Sequence, residues 1–92
     1  MTRPIRNLHD PRLEVVKPVW VTIERVAGKF VAYNGDLLLY GQGSSTADAE
    51  DDFRAVVAEA YFDFKKVGSD KLGPLPLEQF KLLRQHPKEL GP

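Results

Sequence analysis

A capped amphipathic helix from about Thr46 to Lys66 is the feature that most constrains the fold of this chain. Ser45 is a typical N-cap residue, and Asp48, three positions later, completes the pattern of a capping box. At about 100° per residue, one stripe of the helix is apolar, formed by Ala49, Phe53, Val56, Val57, Ala60 and Phe64. A stripe this wide has to be buried, so the sequence predicts a sheet or another helix beneath it.

Three antiparallel strands are predicted before the helix. The first alternates β-branched and other residues from Val19 to Glu24, the second covers Lys29–Tyr33 and the third Asp36–Tyr40. Ala27–Gly28 predicts a short turn, and Asn34–Gly35 predicts a type I′ turn, whose two central residues need positive φ. The fold class is therefore α+β, a three-stranded antiparallel meander packed under one long helix.

The segments on either side of this unit have weaker patterns. Residues 1–13 are expected to form an irregular arm because Pro4 and Pro11 interrupt isolated apolar residues. Residues 14–67 form the predicted β-β-β-α domain. Residues 68–92 are expected to be an extended proline-rich segment, followed by a short C-terminal helix from Leu77 to about Gln85 and a frayed end.

Composition excludes several classes of protein. With 92 residues there is room for one domain, and 13 basic residues balance 13 acidic ones, so no overall charge attracts nucleic acid or a membrane surface. The absence of cysteine excludes disulfides and thiolate metal sites. No apolar run is long enough to cross a bilayer, and the N-terminus lacks the core of a signal peptide. We therefore expect a cytoplasmic protein.

Few residues are suited to catalysis or metal binding. The two histidines, His9 and His86, lie near opposite ends of the chain without patterned partners. Asp48 shares a helix face with Asp51 and Asp52, but no histidine or loop carboxylate completes a metal cage. The sequence therefore predicts no enzyme activity, no cofactor and no metal.

Residues 19–66 resemble the HicB-like antitoxin domain. Gly43, Ser45, Asp48 and Ala49 match the glycine, capping residue, second acid and first buried residue that open the long helix of that family. In addition, Phe30 and Asp36 lie roughly at the family's second-strand phenylalanine and turn aspartate. The sequence departs from the family pattern at Gly35, Leu39 and Ala47, and residues after Lys66 resemble stand-alone members that lack a DNA-binding segment.

The resemblance implies a non-enzymatic protein-interaction module. HicB-like antitoxins are similar in fold to double-stranded-RNA-binding domains, commonly self-associate as dimers, and neutralise a small basic mRNA-cleaving toxin. The resemblance therefore implies a homodimer and a small basic partner protein for this chain.

Two surfaces are candidates for such contacts. Residues 44–66 hold six acids against three bases, so Asp48, Asp51 and Asp52 are candidate contacts for a basic partner. Phe62 is a further candidate because it projects away from the buried stripe. A chain segment that folds back through Leu75, Leu77 or Phe80 is the alternative cover for this outer helix face.

The second surface is a group of aromatic residues on the predicted sheet. Trp20, Tyr33 and Tyr40 are expected to share the face that points away from the helix. Aromatic rings on an open sheet stack nucleic-acid bases in some proteins, which makes an RNA-binding domain the alternative function. The flanking charges do not form a basic groove, so burial of the rings in a homodimer is favoured, and an orphan homo-oligomeric structural domain remains a further alternative.

Overall fold

The computed structural model describes residues 1–91; Pro92, the last residue of the predicted C-terminal segment, lies outside the described residues. The chain is of the α+β class, as predicted. In chain order its elements are β1 (Thr2–Ile5), β2 (Leu13–Val15), β3 (Val19–Val26), β4 (Lys29–Asn34), β5 (Leu39–Gly43), α1 (Thr46–Val67), α2 (Pro74–Leu83) and β6 (Pro87–Glu89).

Two antiparallel sheets are present instead of the single predicted one. The main sheet has four strands in the order β1-β3-β4-β5, so the three predicted strands are neighbours and β1 extends the sheet beyond β3. The second sheet pairs β2 with β6, and Leu13 lies opposite Glu89. The expectation of an irregular arm over residues 1–13 and of a frayed end after Pro87 was therefore wrong at Thr2–Ile5, Leu13 and, within β6, Lys88 and Glu89.

The pairing of β1 with β3 accommodates Pro4 in the main sheet. Met1 and Ile23 exchange two backbone hydrogen bonds, of 2.7 and 3.3 Å. Because hydrogen-bonded and non-hydrogen-bonded pairs alternate along an antiparallel ladder, Pro4 falls opposite Trp20 in a non-hydrogen-bonded pair. Its nitrogen, which has no proton, therefore points away from β3, and the sheet loses no hydrogen bond.

The first hairpin turn is the short turn that the sequence predicts, and the second differs from its predicted form. Ala27 and Gly28 both have positive φ, 51° and 80°, and they join the paired residues Val26 and Lys29, as a type I′ turn requires. The prediction for Asn34–Gly35 was wrong. Gly35 does not have positive φ, and Asn34 pairs with Leu39, so the loop has four residues and β5 begins three residues later than expected.

The side chain of Asn34 organises this longer loop. Its Oδ1 accepts a hydrogen bond of 2.9 Å from the backbone nitrogen of Leu37, and its Nδ2 donates one of 2.7 Å to the carbonyl oxygen of Trp20. Leu37 is buried as a result, whereas Leu38 adopts a φ of 56°. This left-handed conformation costs a non-glycine residue about 1–2 kcal/mol.

Helix α1 begins and ends as the sequence predicts. The hydroxyl of Ser45 accepts a hydrogen bond of 3.1 Å from the backbone nitrogen of Asp48, and Gly68, with a φ of 92°, ends the helix. The second half of the capping box is replaced, because the carboxylate of Asp48 accepts from the hydroxyl of Ser44. Phe53 and Val57 are fully buried, and Phe64 is partly buried.

Two glycines of β5 bring the backbone of α1 against the sheet. A Cβ atom placed on Gly41 would lie 2.3 Å from the backbone nitrogen of Phe53. One placed on Gly43 would lie 2.5 Å from the Cβ of Asp48 and 2.7 Å from the backbone nitrogen of Ala49. No side chain fits between strand and helix at either position, so the two elements pack through main-chain contact.

Helix α2 begins earlier than predicted. The segment Lys71–Pro76 was expected to be extended, but Pro74 and Pro76 lie in the first turn of α2, where backbone N–H groups have no partner within the helix. The backbone nitrogen of Leu77 donates to the carbonyl oxygen of Gly73. Phe80 and Leu83 dock the helix into the core, and the ring of Phe80 packs against those of Tyr61 and Phe64.

A matched pair of glycine substitutions tests the turn assignments. Added methyl groups at Gly28 and Gly35 would both meet open space, so only the backbone conformation distinguishes the two sites. We expect Gly28→Ala to lower the unfolding free energy by about 1–2 kcal/mol because of its positive φ. Gly35→Ala should leave it unchanged or raise it by up to about 1 kcal/mol. Chemical denaturation of both variants measures the difference; equal losses would contradict the assignment of the type I′ turn to Ala27–Gly28.

Candidate interaction surfaces

The acidic start of α1 has its carboxylates engaged within the chain. Asp48 accepts from Ser44, and Asp51 forms an ion pair of 2.8 Å with Arg54. Asp52 accepts a hydrogen bond of 2.9 Å from the backbone nitrogen of Gln42 on the outer edge of β5. These three predicted partner contacts therefore each have a local structural role.

The outer face of α1 is covered by the N-terminal segment. The guanidinium of Arg12 lies over the ring of Phe62, with 4.0 Å between its carbon and the ring centroid. Ala58 is buried, and Phe62 is only partly exposed. The alternative cover, a segment that folds back through Leu75, Leu77 or Phe80, does not take this place, because Phe80 packs against Tyr61 and Phe64. Phe62 is therefore less available to a partner than the sequence suggested.

The second sheet is attached to α1 by a polar cluster. Lys65 Nζ donates to both carboxylate oxygens of Glu89 at 2.5 Å, and the hydroxyl of Tyr61 donates to Glu89 at 3.2 Å. The hydrogen bonds from Lys65 lower the pKa of Glu89. Partial burial raises the pKa of Tyr61, with a smaller contribution from Glu89. The charged Lys65 and Glu89 and the neutral Tyr61 hydroxyl therefore hold the C-terminal strand against α1.

The face of the main sheet opposite α1 is open. Thr22 lies opposite Tyr33, and Tyr33 lies opposite Tyr40, so these side chains point to the same face. Trp20 is two residues before Thr22 on β3 and therefore points the same way. All three aromatic side chains thus share one face, as predicted. Trp20 is 55% exposed and Tyr40 62% exposed. No residue on this face is buried, so the rest of residues 1–91 leaves it uncovered.

Charges on the open sheet face are few and mixed in sign. Glu24 and Lys29 lie on it near the Ala27–Gly28 turn, and the hydroxyl of Tyr33 lies 3.4 Å from Glu24 Oε1. In the part of the chain that the structure describes, this face therefore carries no row of basic side chains of the kind that neutralises a phosphate backbone.

On each edge of the main sheet, one backbone position cannot donate a hydrogen bond to an added strand. On the outer edge of β1, Pro4 offers no N–H group. On the outer edge of β5, the N–H of Gln42 is already donated to Asp52. Positions of this kind make the side-by-side joining of two sheets less favourable than contact through the open face.

A groove between the β4–β5 loop and α2 was not predicted. It has a volume of about 390 Å³ and is lined by Asp36, Leu38, Leu75, Pro76, Glu78, Gln79 and Leu82. A neighbouring cavity of about 540 Å³ shares Asp36 and Leu82 with it and extends to Trp20 and His86. The only sequence signal was the surplus of leucines around Asp36 and Pro74, which alone does not bring the two segments together.

The groove keeps three leucine side chains in contact with solvent. Leu38 is 72% exposed, Leu75 80% and Leu82 39%. Its wall is fixed because Gln79 Nε2 donates a hydrogen bond of 2.6 Å to the carbonyl oxygen of Leu37. Exposed apolar side chains on a rigid frame are typical of protein-binding surfaces.

Neither histidine lies in a cluster suited to chemistry. Nδ1 of His86 lies 3.0 and 3.1 Å from the carbonyl oxygens of Lys17 and Pro18, so that nitrogen carries the proton. His9 has a positive φ of 54° in the N-terminal segment. Within residues 1–91, no three His, Asp or Glu side chains are grouped to hold a metal ion.

Comparison with known proteins gives no further assignment. No protein-family model, curated protein or solved structure matches this chain. Among residues 1–91, neither helix combines the length and the apolar character that a membrane span needs. The resemblance to HicB-like antitoxins, and the homodimer and basic partner that it implies, therefore remain predictions.

Acid pH should weaken the attachment of β6 to α1. The folded pKa of Glu89 lies below its ordinary value of 4.5, so its stabilisation is present above that value and is lost as the pH falls through the folded pKa. We expect the thermal midpoint to fall less between neutral and acid pH in Glu89→Gln than in the parent chain. Glu14→Gln is the control, because Glu14 faces Lys88 at 3.6 Å with both side chains exposed. Parallel pH profiles for parent and Glu89→Gln would contradict this role.

Proposed function

We propose that this protein is a non-enzymatic protein-interaction module that self-associates through the open face of its main sheet. The observation that carries the proposal is the aromatic group on this face, in which Trp20 and Tyr40 are exposed and Tyr33 is half-buried. Aromatic side chains bury a large area at low conformational cost, and tryptophan and tyrosine are enriched where interfaces hold most of their binding energy.

The geometry of the sheet favours contact between faces. Pro4 and Asp52 each remove one N–H donor from an edge of the sheet, so a second chain gains fewer hydrogen bonds by adding a strand. A homodimer with two-fold symmetry presents the same patch from both copies, which suits a flat face with rings spread across three strands. Since the chain has 13 basic and 13 acidic residues, two copies approach without net repulsion.

The antitoxin role is the finer part of the proposal. It is supported by the resemblance of residues 19–66 to the HicB-like domain and by the capped helix that follows three adjacent strands. A small basic toxin remains the proposed partner. The carboxylates of Asp48, Asp51 and Asp52 would have to serve this contact in addition to their local hydrogen bonds.

The mixed charge of the open face argues against RNA as its ligand. Glu24 beside Tyr33 places a carboxylate where a phosphate would need a base. Trp20 is the only tryptophan, so its fluorescence reports directly on base stacking. RNA titrated at low salt should leave this signal unchanged; a saturable change would favour the RNA-binding alternative.

Sedimentation velocity over a wide concentration range tests self-association. We expect a reversible dimer for the parent chain and a monomer for the double variant Trp20→Ser/Tyr40→Ser, because the exposed rings are removed without loss of core contacts. Val67→Ser is the control, since Val67 is 48% exposed at the end of α1, outside the sheet. A parent chain that is monomeric throughout, or a double variant that dimerises like the parent, would contradict the proposal.

A further inference from the structure

The groove between the β4–β5 loop and α2 is fixed in shape before any ligand binds. Asn34 holds the loop through the backbone of Leu37 and Trp20. On the other side, Gln79 of α2 binds the same loop at the carbonyl of Leu37. A partner therefore meets a preformed surface and loses little free energy in ordering it.

The leucines of the groove are held outward by the backbone. Leu38 points its side chain into solvent from a left-handed conformation, which few residues other than glycine and asparagine adopt easily. Leu75 lies between Pro74 and Pro76 in the first turn of α2, so its position is also rigid. A strained residue that exposes an apolar side chain is a feature expected of a binding site.

The spacing of the leucines fits a helix better than a strand. Leu75 and Leu82 are seven residues apart on α2, which is two helical turns or about 10.5 Å. A partner helix presents apolar side chains with the same repeat. A strand would need free backbone groups on the groove wall, but the carbonyl of Leu37 is already bound by Gln79.

The charge of the groove indicates which charge a partner should carry. Of residues 1–91, Asp36 and Glu78 are the charged ones that line it. Glu78 faces Lys81 at 3.7 Å, with both side chains largely exposed, so that ion pair contributes little. Asp36 has no ion pair with a basic side chain of residues 1–91. Apolar anchors beside two acids match an apolar helix face flanked by lysine or arginine.

We propose that this groove is the docking site for a basic amphipathic helix of a partner protein. The inference rests on the proposed role as an interaction module and names the chemistry of its partner. It also places the acidic contact at Asp36 and Glu78, whereas the sequence had suggested Asp48, Asp51 and Asp52. The lining of the groove includes none of Trp20, Tyr33 and Tyr40, the residues proposed for self-association.

A fluorescently labelled synthetic helix tests the groove by anisotropy. The probe is a capped peptide with leucines on one face, at every third and fourth position, and arginines on both sides of that face. A second peptide has glutamate in place of each arginine. We expect the basic peptide to bind the parent chain about tenfold or more tightly than the acidic one. The double variant Asp36→Asn/Glu78→Gln should bind both peptides about equally.

Leu38→Asn separates a binding role from a structural one. Asparagine adopts the left-handed conformation more easily than leucine, so this variant should be as stable as the parent or more so. It should nevertheless bind the basic peptide about tenfold more weakly, because one apolar anchor is lost. Val16→Asn, at an exposed valine outside the groove, is the control and should keep the parent affinity.

The outcomes distinguish this inference from the proposed self-association. The docking site would be overturned if the parent bound both peptides with equal affinity. It would also be overturned if Leu38→Asn bound the basic peptide as tightly as the parent does. If the chain sediments only as a monomer but binds the basic peptide with the expected preference, the docking site is supported and the proposed homodimer is rejected. If the chain forms a dimer that binds neither peptide, the docking site is rejected and the proposed self-association stands.

Discussion

The main-chain contact between α1 and β5 is the constraint on which the rest of the structure depends. Gly41 and Gly43 leave no side chain between the strand and the helix, so the backbone of Phe53 and Ala49 lies directly on the sheet. This contact fixes α1 above β5 and β4 and directs Phe53 into the core. The capped start at Ser45 reinforces it, because the helix begins only three residues after Gly43.

The position of α1 also determines which surfaces remain available. One face of the sheet is filled by the helix, and the other keeps Trp20 and Tyr40 exposed. The same closeness lets Asp52 of the helix reach the backbone of Gln42 and protect the outer edge of β5. The acids that the sequence suggested for a partner are thus used to hold and protect the fold, and the open face and the α2 groove are the surfaces left for association.

The sequence predicted what short-range chemistry determines. Ser45, the apolar stripe and Gly68 are local signals, and they placed α1 to within one or two residues. Strand parity was enough to group Trp20, Tyr33 and Tyr40 on one face. The pairing of β2 with β6 joins residues more than seventy positions apart through three-residue strands, which are too short to show a period. The groove was missed for the same reason, because it forms only when Gln79 meets Leu37. In the case of Asn34–Gly35, a strong turn signal was overridden by the side-chain bonds of Asn34.

The unfolding free energy of Gly41→Ala tests the central contact most directly. A methyl group at this position would meet the backbone of Phe53, which cannot move without lifting α1 from the sheet. We expect a loss of about 2–3 kcal/mol relative to the parent. Gly73→Ala is the reference, because its added methyl group would lie 3.9 Å from the nearest atom, a side-chain carbon of Pro76. A loss no larger for Gly41→Ala than for Gly73→Ala would show that α1 does not rest on β5 as described.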